Sequence, residues 1–427
     1  MIEAVNKQSE ALFTVDLKHA LIWVARALDY VGVDDTNHSH RVAYTAYHCA
    51  KQLGWEEKKQ EFCFLAGLIH DCGVSQTAEH SHLVSDISPH HVKAHCLRGY
   101  NALRTCEVLE PFSSIVLYHH TDWTELQQLP ISPYEKDIAA LIYLADRLDC
   151  LRAHYMNNTH KGLIVLKKQQ ISEHLLECSG IQFKPELVCA MASLVQKDGF
   201  WFAMEPESIE VMPLRFKHLD WLERELTVDS LLNLARLIAG IVDAKSPFTY
   251  QHSIKVAELC SFLAKHLNCR QDIVTKLHIA GLVHDIGKLR TPDHILHKPG
   301  PLTIEEYTHI KRHTIDTKLA LDIVFPGSKI AGWASDHHER LNGSGYPYNK
   351  TANELDLPSR ILAVADVFQA LSQNRPYRPR LSSHQIHTMM TKMVNDGELD
   401  GLVFQCIANN LEECYQLSIS DKELAYA

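Results

Sequence analysis

The same spaced set of histidines and aspartates occurs twice along the chain, and this repeat limits the possible folds more than any other feature. His38 opens HSHRVA and His252 opens HSIKVA, while His70-Asp71 lies in LAGLIHDCG and His284-Asp285 in IAGLVHDIG. In both halves 32 residues separate the first histidine from the His-Asp pair. Next come His95 and His313, each followed after 24 residues by a His-His pair, His119-His120 and His337-His338. Each half then has a further aspartate, Asp146 in YLADRL and Asp366 in LAVADVF. A period near 214 residues is far longer than a solenoid repeat, so it predicts two duplicated domains. At 427 residues the chain is long enough for each to bury its own core, and we place them at 1–215 and 216–427.

The fold class follows from periodicity. Apolar residues recur at helical spacing around nearly every motif, as in LLNLARLIAGIV and LALDIVF, and long alternating stretches are scarce. Lead-in segments correspond too, TVDLKHALIWVARAL from Thr14 and TVDSLLNLARLIAGI from Thr227, each opening on a Thr/Asp helix cap. The expected architecture is all-α, two tandem helical domains. Residues 161–225 break the repeat and are read as extra helices, then a short extended piece (GFWFAMEPESIEV), then a linker helix (FKHLDWLERE).

Imidazole nitrogen and carboxylate oxygen together suit borderline divalent ions, and an adjacent His-Asp pair lets the carboxylate bridge two of them. A lone histidine such as His313 has an ordinary reading as a surface or hydrogen-bonded core residue. The carboxylates in LHIAGLVHDIG and ILAVADVFQAL are different, because burying a charge without a partner costs several kcal/mol. The candidate ligands are therefore His252, His284, Asp285, His313, His337, His338 and Asp366. A second candidate set is His38, His70, Asp71, His95, His119, His120 and Asp146.

The ordered pattern H…HD…H…HH…D resembles the HD superfamily of metal-dependent phosphohydrolases. From about residue 227 to about 411, HDIGK, HHERLNGSGYP and RPYR are similar to its HD-GYP branch. That resemblance implies two divalent ions, iron or manganese, in the C-terminal domain and hydrolysis of a cyclic dinucleotide to a linear 5′-phosphoryl dinucleotide. It assigns catalysis to Asp285 and Lys288, and substrate contacts to Lys288, Gly345, Tyr346, Pro347, Arg375 and Arg378. Lys288 stands one helical turn beyond Asp285, where its ammonium can neutralise a phosphate oxygen. The two arginines would grip phosphates and a guanine edge, work suited to a planar guanidinium. Some members carry a carboxylate four residues before the first histidine for a third ion. Phe248 stands there in the second half, which implies two ions, whereas Asp34 stands there in the first, where a helix N-cap is the competing role. Asn342 departs from the aspartate usual in this loop.

The N-terminal half keeps the metal set without the substrate-facing set. Val74 replaces Lys288, TDWTELQQLP follows His119-His120, and no RPYR follows Asp146. Its metal is an open expectation. With metal it could be a nucleotidase acting on the linear product, since HD enzymes lacking the Gly-Tyr-Pro loop often hydrolyse nucleotide monophosphates; the alternative is a structural or regulatory module. The tandem layout resembles the vibrio 3′,3′-cyclic GMP-AMP phosphodiesterases, so cyclic GMP-AMP is the favoured substrate and cyclic di-GMP the next. A receptor that binds the dinucleotide without turnover is the rival class.

A net charge of −10 argues against a DNA-binding protein, so an anionic ligand needs a local site. Twelve cysteines without a CxxC pair, with neither a signal-peptide pattern nor an apolar run of eighteen residues, point to reduced thiols in a cytoplasmic protein with no membrane segment, and the resemblance implies a bacterial one. Cys72, beside Asp71, is the thiol to watch for metal-linked oxidation. A homodimer stays open.

Overall fold

A computed structural model describes residues 17–18, 21–22, 37–74, 79, 83, 93–156, 163–219, 226–245, 251–374 and 379–419. These residues form helices and no strands, as the periodicity predicts. The chain divides into two compact units, one of residues 16–224 and one of residues 225–425.

In the first unit α1 (His38–Gln52), α2 (Glu57–Ile69), α3 (Lys93–Arg104), α4 (Ser113–Tyr118) and the long α5 (Pro133–Met156) surround the ligand set. Their apolar faces make one core, in which Phe64, Leu65, Leu68, Leu141 and Leu144 are fully buried. Burying such side chains stabilises by about 1.5–3 kcal/mol each. Two of the extra helices are α6 (Lys168–Glu177) and α7 (Pro185–Val195). The stretch expected to be extended instead forms two short helices, Asp198–Phe202 and Pro206–Glu210. Phe200 and Trp201 are buried from a helical turn, and Trp201 Nε1 donates to Val195 O at 2.7 Å. Residues 216–219 of the expected linker helix are not helical, and the remainder lies outside the described residues.

Residues just past 215 pack with the first unit. Phe216 stacks on Tyr47 and meets Phe64 edge-on, and the Lys217 and His218 amides donate to the Glu61 carboxylate at 3.0 Å. These contacts tie residues 216–218 to the first unit.

The second unit repeats the plan with α8 (Val228–Lys245), α9 (His252–His266), α10 (Gln271–Val283), α11 (His313–Val324), α12 (Ile330–Ser335) and α13 (Leu357–Ser372). Thr227 Oγ1 accepts from the Ser230 amide at 3.1 Å, so the expected cap forms. The other cap, at Thr14, lies outside the described residues. Three further helices, α14 (Ser383–Asn395), α15 (Gly401–Asn409) and α16 (Leu411–Ile419), complete the unit.

One steric requirement is shared by both halves and positions the His-Asp pair. A Cβ on Gly67 would lie 2.6 Å from Ala43 Cα, and one on Gly281 would lie 2.7 Å from Ala257 Cα. Glycine therefore lets α2 cross α1, and α10 cross α9, at backbone contact. The crossing brings the first histidine, at the start of one helix, beside the His-Asp pair at the end of the other.

Candidate metal centres

All seven C-terminal candidates come together. His252 begins α9, His284 and Asp285 follow the end of α10, His313 begins α11, His337 and His338 form a 3-10 turn after α12, and Asp366 lies inside α13. His252 Nε2 is 3.3 Å from both His284 Nε2 and Asp366 Oδ1. Asp285 divides its two oxygens: Oδ2 lies 3.4 Å from His284 Nε2 and 3.6 Å from His252 Nε2, while Oδ1 lies 3.5 Å from His313 Nε2 and 3.6 Å from His337 Nε2. Two ligand groups result, His252 with His284 and Asp366, and His313 with His337 and His338, with the Asp285 carboxylate reaching both.

The N-terminal set has the same arrangement. Asp71 Oδ2 faces His70 Nε2 at 3.4 Å, and Oδ1 faces His95 Nε2 and His119 Nε2, each at 3.4 Å. His38 Nε2 is 3.3 Å from Asp146 Oδ1. The groups are Asp71 with His95, His119 and His120, and His38 with His70 and Asp146.

The donor chemistry fits metal ions. Nδ1 of His284, His313 and His337 bonds to the carbonyls of Gly281, Ile310 and Ala334 at 2.8, 2.6 and 2.6 Å, and Nδ1 of His70 and His119 bonds to Gly67 and Val116 likewise. An Nδ1–H given to a carbonyl leaves an Nε2 lone pair, and these lone pairs converge at about 3.3–3.4 Å. Facing lone pairs are reconciled by a cation between them. Buried Asp285 Oδ1, Asp71 Oδ1 and His70 Nε2 make no hydrogen bond, a costly arrangement unless something else binds them.

Ionisation favours the same reading. Burial pushes the His313 imidazole down to about 4, and burial beside other imidazoles holds His337 and His338 well below their ordinary value. Burial opposes ionisation of Asp285, but Lys288 and His284 outweigh it and hold the carboxyl well below the usual range. For Asp366 the bond to His252 does the same against burial. His284 goes the other way: burial opposes its protonation, but the Asp285 charge outweighs burial and raises it. Neutral imidazoles and ionised carboxylates are the forms that bind metal.

Around this set, Lys288 Nζ stands 2.5 Å from Asp285 Oδ2. The Gly-Tyr-Pro loop lies against the His-His turn: the Tyr346 ring packs 4.8 Å from that of His338, and the Tyr346 amide donates to His338 O at 3.2 Å. The Tyr346–Pro347 peptide is cis. A Cβ on Gly345 would fall 2.3 Å from Arg340 N and 2.5 Å from His338 O, so only glycine allows this approach. Gly345→Ala is expected to destabilise the unit by roughly 1–3 kcal/mol, measured by thermal denaturation, and to move Tyr346 off His338. Asn342 Oδ1 accepts from the Ser344 amide at 3.0 Å and its Nδ2 donates to Asp396 O at 3.0 Å, a donation an aspartate could not make. Arg375, Arg378, Phe248 and Asp34 lie outside the described residues.

Three supporting residues escaped the sequence reading. Glu339, buried, accepts from the Tyr348 and Lys350 amides at 2.7 and 3.0 Å and so holds the loop. Gln369 accepts from His252 Nδ1, where the first unit uses Asp149, 2.8 Å from His38 Nδ1. Both lie three residues beyond the ligand aspartate, one helical turn on, which is the signal that could have found them.

Among the described residues no helix is long and apolar enough to cross a membrane. Residues 36–151 and 236–403 each match the HD domain family. The 3′3′-cGAMP-specific phosphodiesterase 1 of Vibrio cholerae is 45% identical over 97% of this chain and 96% of its own length. A cyclic di-GMP phosphodiesterase of Pseudomonas aeruginosa is 34% identical over 42% of this chain and 41% of its own. A crystal structure of a cyclic GMP-AMP specific phosphodiesterase of V. cholerae superposes with a TM-score of 0.63 at 23% identity, covering 93% of this chain and 98% of that one, a likeness of fold. The chain belongs to the HD-GYP cyclic-dinucleotide phosphodiesterases of the HD superfamily, in the layout that carries two HD domains in tandem.

Proposed function

We propose that the C-terminal centre hydrolyses 3′,3′-cyclic GMP-AMP, with cyclic di-GMP the next substrate, to a linear 5′-phosphoryl dinucleotide. The observation that carries this reading is the Asp285 carboxylate, aimed at two histidine groups at once, with Lys288 and Tyr346 beside them. His252, His284, Asp285 and Asp366 would hold one ion of iron or manganese, and Asp285, His313, His337 and His338 the other. Bound there, the ions supply a water nucleophile at neutral pH and a counterweight for phosphoryl charge. Hydrolysis joins the water oxygen to phosphorus, breaks the P–O3′ bond, and leaves a 3′-hydroxyl and a 5′-phosphate.

Lys288 has the reach to neutralise a phosphoryl oxygen as charge grows on it, and its partial exposure leaves it accessible to substrate. Tyr346, held by Gly345 and the Glu339 bonds, offers an aromatic face at the rim. By resemblance Arg375 and Arg378 complete the phosphate and guanine contacts. The choice of cyclic GMP-AMP rests on the specificity of the full-length relative. Lys288→Met is expected to lower kcat by about 100-fold with bound metal unchanged, measured by steady-state kinetics and metal analysis.

The N-terminal unit supports a second activity, removal of the 5′-phosphate from the linear product. Its Asp71 carboxylate divides between two histidine groups as Asp285 does. The test of the whole reading is a product time course by liquid chromatography, with protein loaded anaerobically with iron or manganese and offered each dinucleotide separately. Linear dinucleotide, formed faster from cyclic GMP-AMP, is the expected result. Tight binding without cleavage of either would replace the enzyme with a receptor.

A further inference from the structure

The two centres differ in how a cation is held against their carboxylates. Lys288 touches Asp285 Oδ2, yet its side chain is 24% exposed, and its flexible stem lets the ammonium swing into water when an ion takes the carboxylate. In the N-terminal unit Val74 stands in the lysine's place and the cation is Arg147. Its Nε and NH2 groups donate to Asp146 Oδ2 at 3.1 and 2.7 Å, and its side chain is 1% exposed. A guanidinium cannot be deprotonated in a protein, and this one has no water to withdraw into. The other oxygen of Asp146 belongs to the group with His38 and His70.

In the C-terminal unit the residue after Asp366 is Val367, so no charge stands in the matching place. The extra carboxylate near the N-terminal centre does not compensate. Asp149 is bonded by Arg41 Nε at 2.7 Å and Arg152 Nε at 2.6 Å, which offset its charge.

We propose that the two centres fill with divalent ions in sequence, the C-terminal one first, and that Arg147 sets the gap as a fixed positive charge opposing an ion on Asp146. Like charges a few ångströms apart in a buried site repel strongly enough to separate the affinities by at least about tenfold. At limiting metal the chain would then hold a loaded phosphodiesterase centre and an unloaded N-terminal one. The inference rests on both clusters being metal centres.

The test is equilibrium dialysis of chelator-stripped, full-length protein against rising Mn²⁺, with bound manganese counted by mass spectrometry. Wild type should show a tight and a weak class of site. Asp71→Ala should lose only the weak class and Asp285→Ala only the tight one. Arg147→Met should tighten the weak class by at least about tenfold, while Arg147→Lys, which keeps the charge, should leave it in place. Should Arg147→Met lose helicity, Arg147→Gln removes the charge and keeps a polar contact to Asp146. A single class in wild type, loss of the tight class in Asp71→Ala, or a weak class that fails to tighten without the Arg147 charge would overturn the proposal. Binding of Mn²⁺ at neither cluster would instead remove the metal reading beneath it.

Discussion

Asp285→Ala is expected to leave the helical fold standing while emptying the C-terminal centre of metal and cutting cyclic-dinucleotide hydrolysis by on the order of 10³-fold or more, about 4 kcal/mol of barrier. Asp285 is the carboxylate whose two oxygens face both histidine groups, at 3.4–3.6 Å. Without it one group keeps Asp366 as its only anion and the other has three neutral imidazoles, too little charge to hold two dications close together. The backbone that presents the ligands depends on other contacts, chiefly the α9–α10 crossing at Gly281 and the carbonyl bonds to the histidine Nδ1 atoms. Circular dichroism should therefore match wild type while metal analysis and chromatography both change. Wild-type turnover, or undiminished metal in the C-terminal unit, would sink the site as drawn.

The clustering of the candidate residues was legible because the histidines and the His-Asp pairs fall at or near helix ends, while Asp366 and Asp146 lie inside long helices that run past them. The equal 32-residue spacing from the first histidine to the His-Asp pair reflects helices of equal length, 15 and 13 residues in each half, so His38 and His252 both open their helices. The helical class was legible from apolar residues recurring at helical spacing. Less legible were residues that act through another residue. Glu339 reads as one more surface acid until its two amide partners are seen, and Arg147 reads as a charged residue on an amphipathic helix until its guanidinium is found buried on Asp146. Local pattern failed at residues 199–211, expected to be extended, where two short helices form and bury Phe200 and Trp201. Nothing local in FKH reveals that Phe216 packs on Tyr47 and that Glu61 takes two amides from the following residues.

Asp71→Ala is expected to change the product more than the rate. The N-terminal centre has the bridging carboxylate geometry but Val74 in place of Lys288, and TDWTELQQLP where the other half builds its Gly-Tyr-Pro loop. A cyclic dinucleotide needs contacts along both phosphates and both bases, which this site does not offer in the same form. A terminal phosphate needs little beyond the metal site itself, and the linear product proposed for the C-terminal centre would carry one. In wild type the 5′-phosphoryl dinucleotide should rise and then fall as inorganic phosphate appears. In Asp71→Ala the cyclic substrate should disappear at an unchanged rate, the linear product should persist, and phosphate release should drop by on the order of 100-fold. Persistence of the linear product in wild type as well, with no phosphate released, would make the N-terminal unit a regulatory module. The rate of the first step then separates the two roles: a regulatory unit transmits the Asp71→Ala defect to cyclic-dinucleotide cleavage, and an independent phosphatase does not.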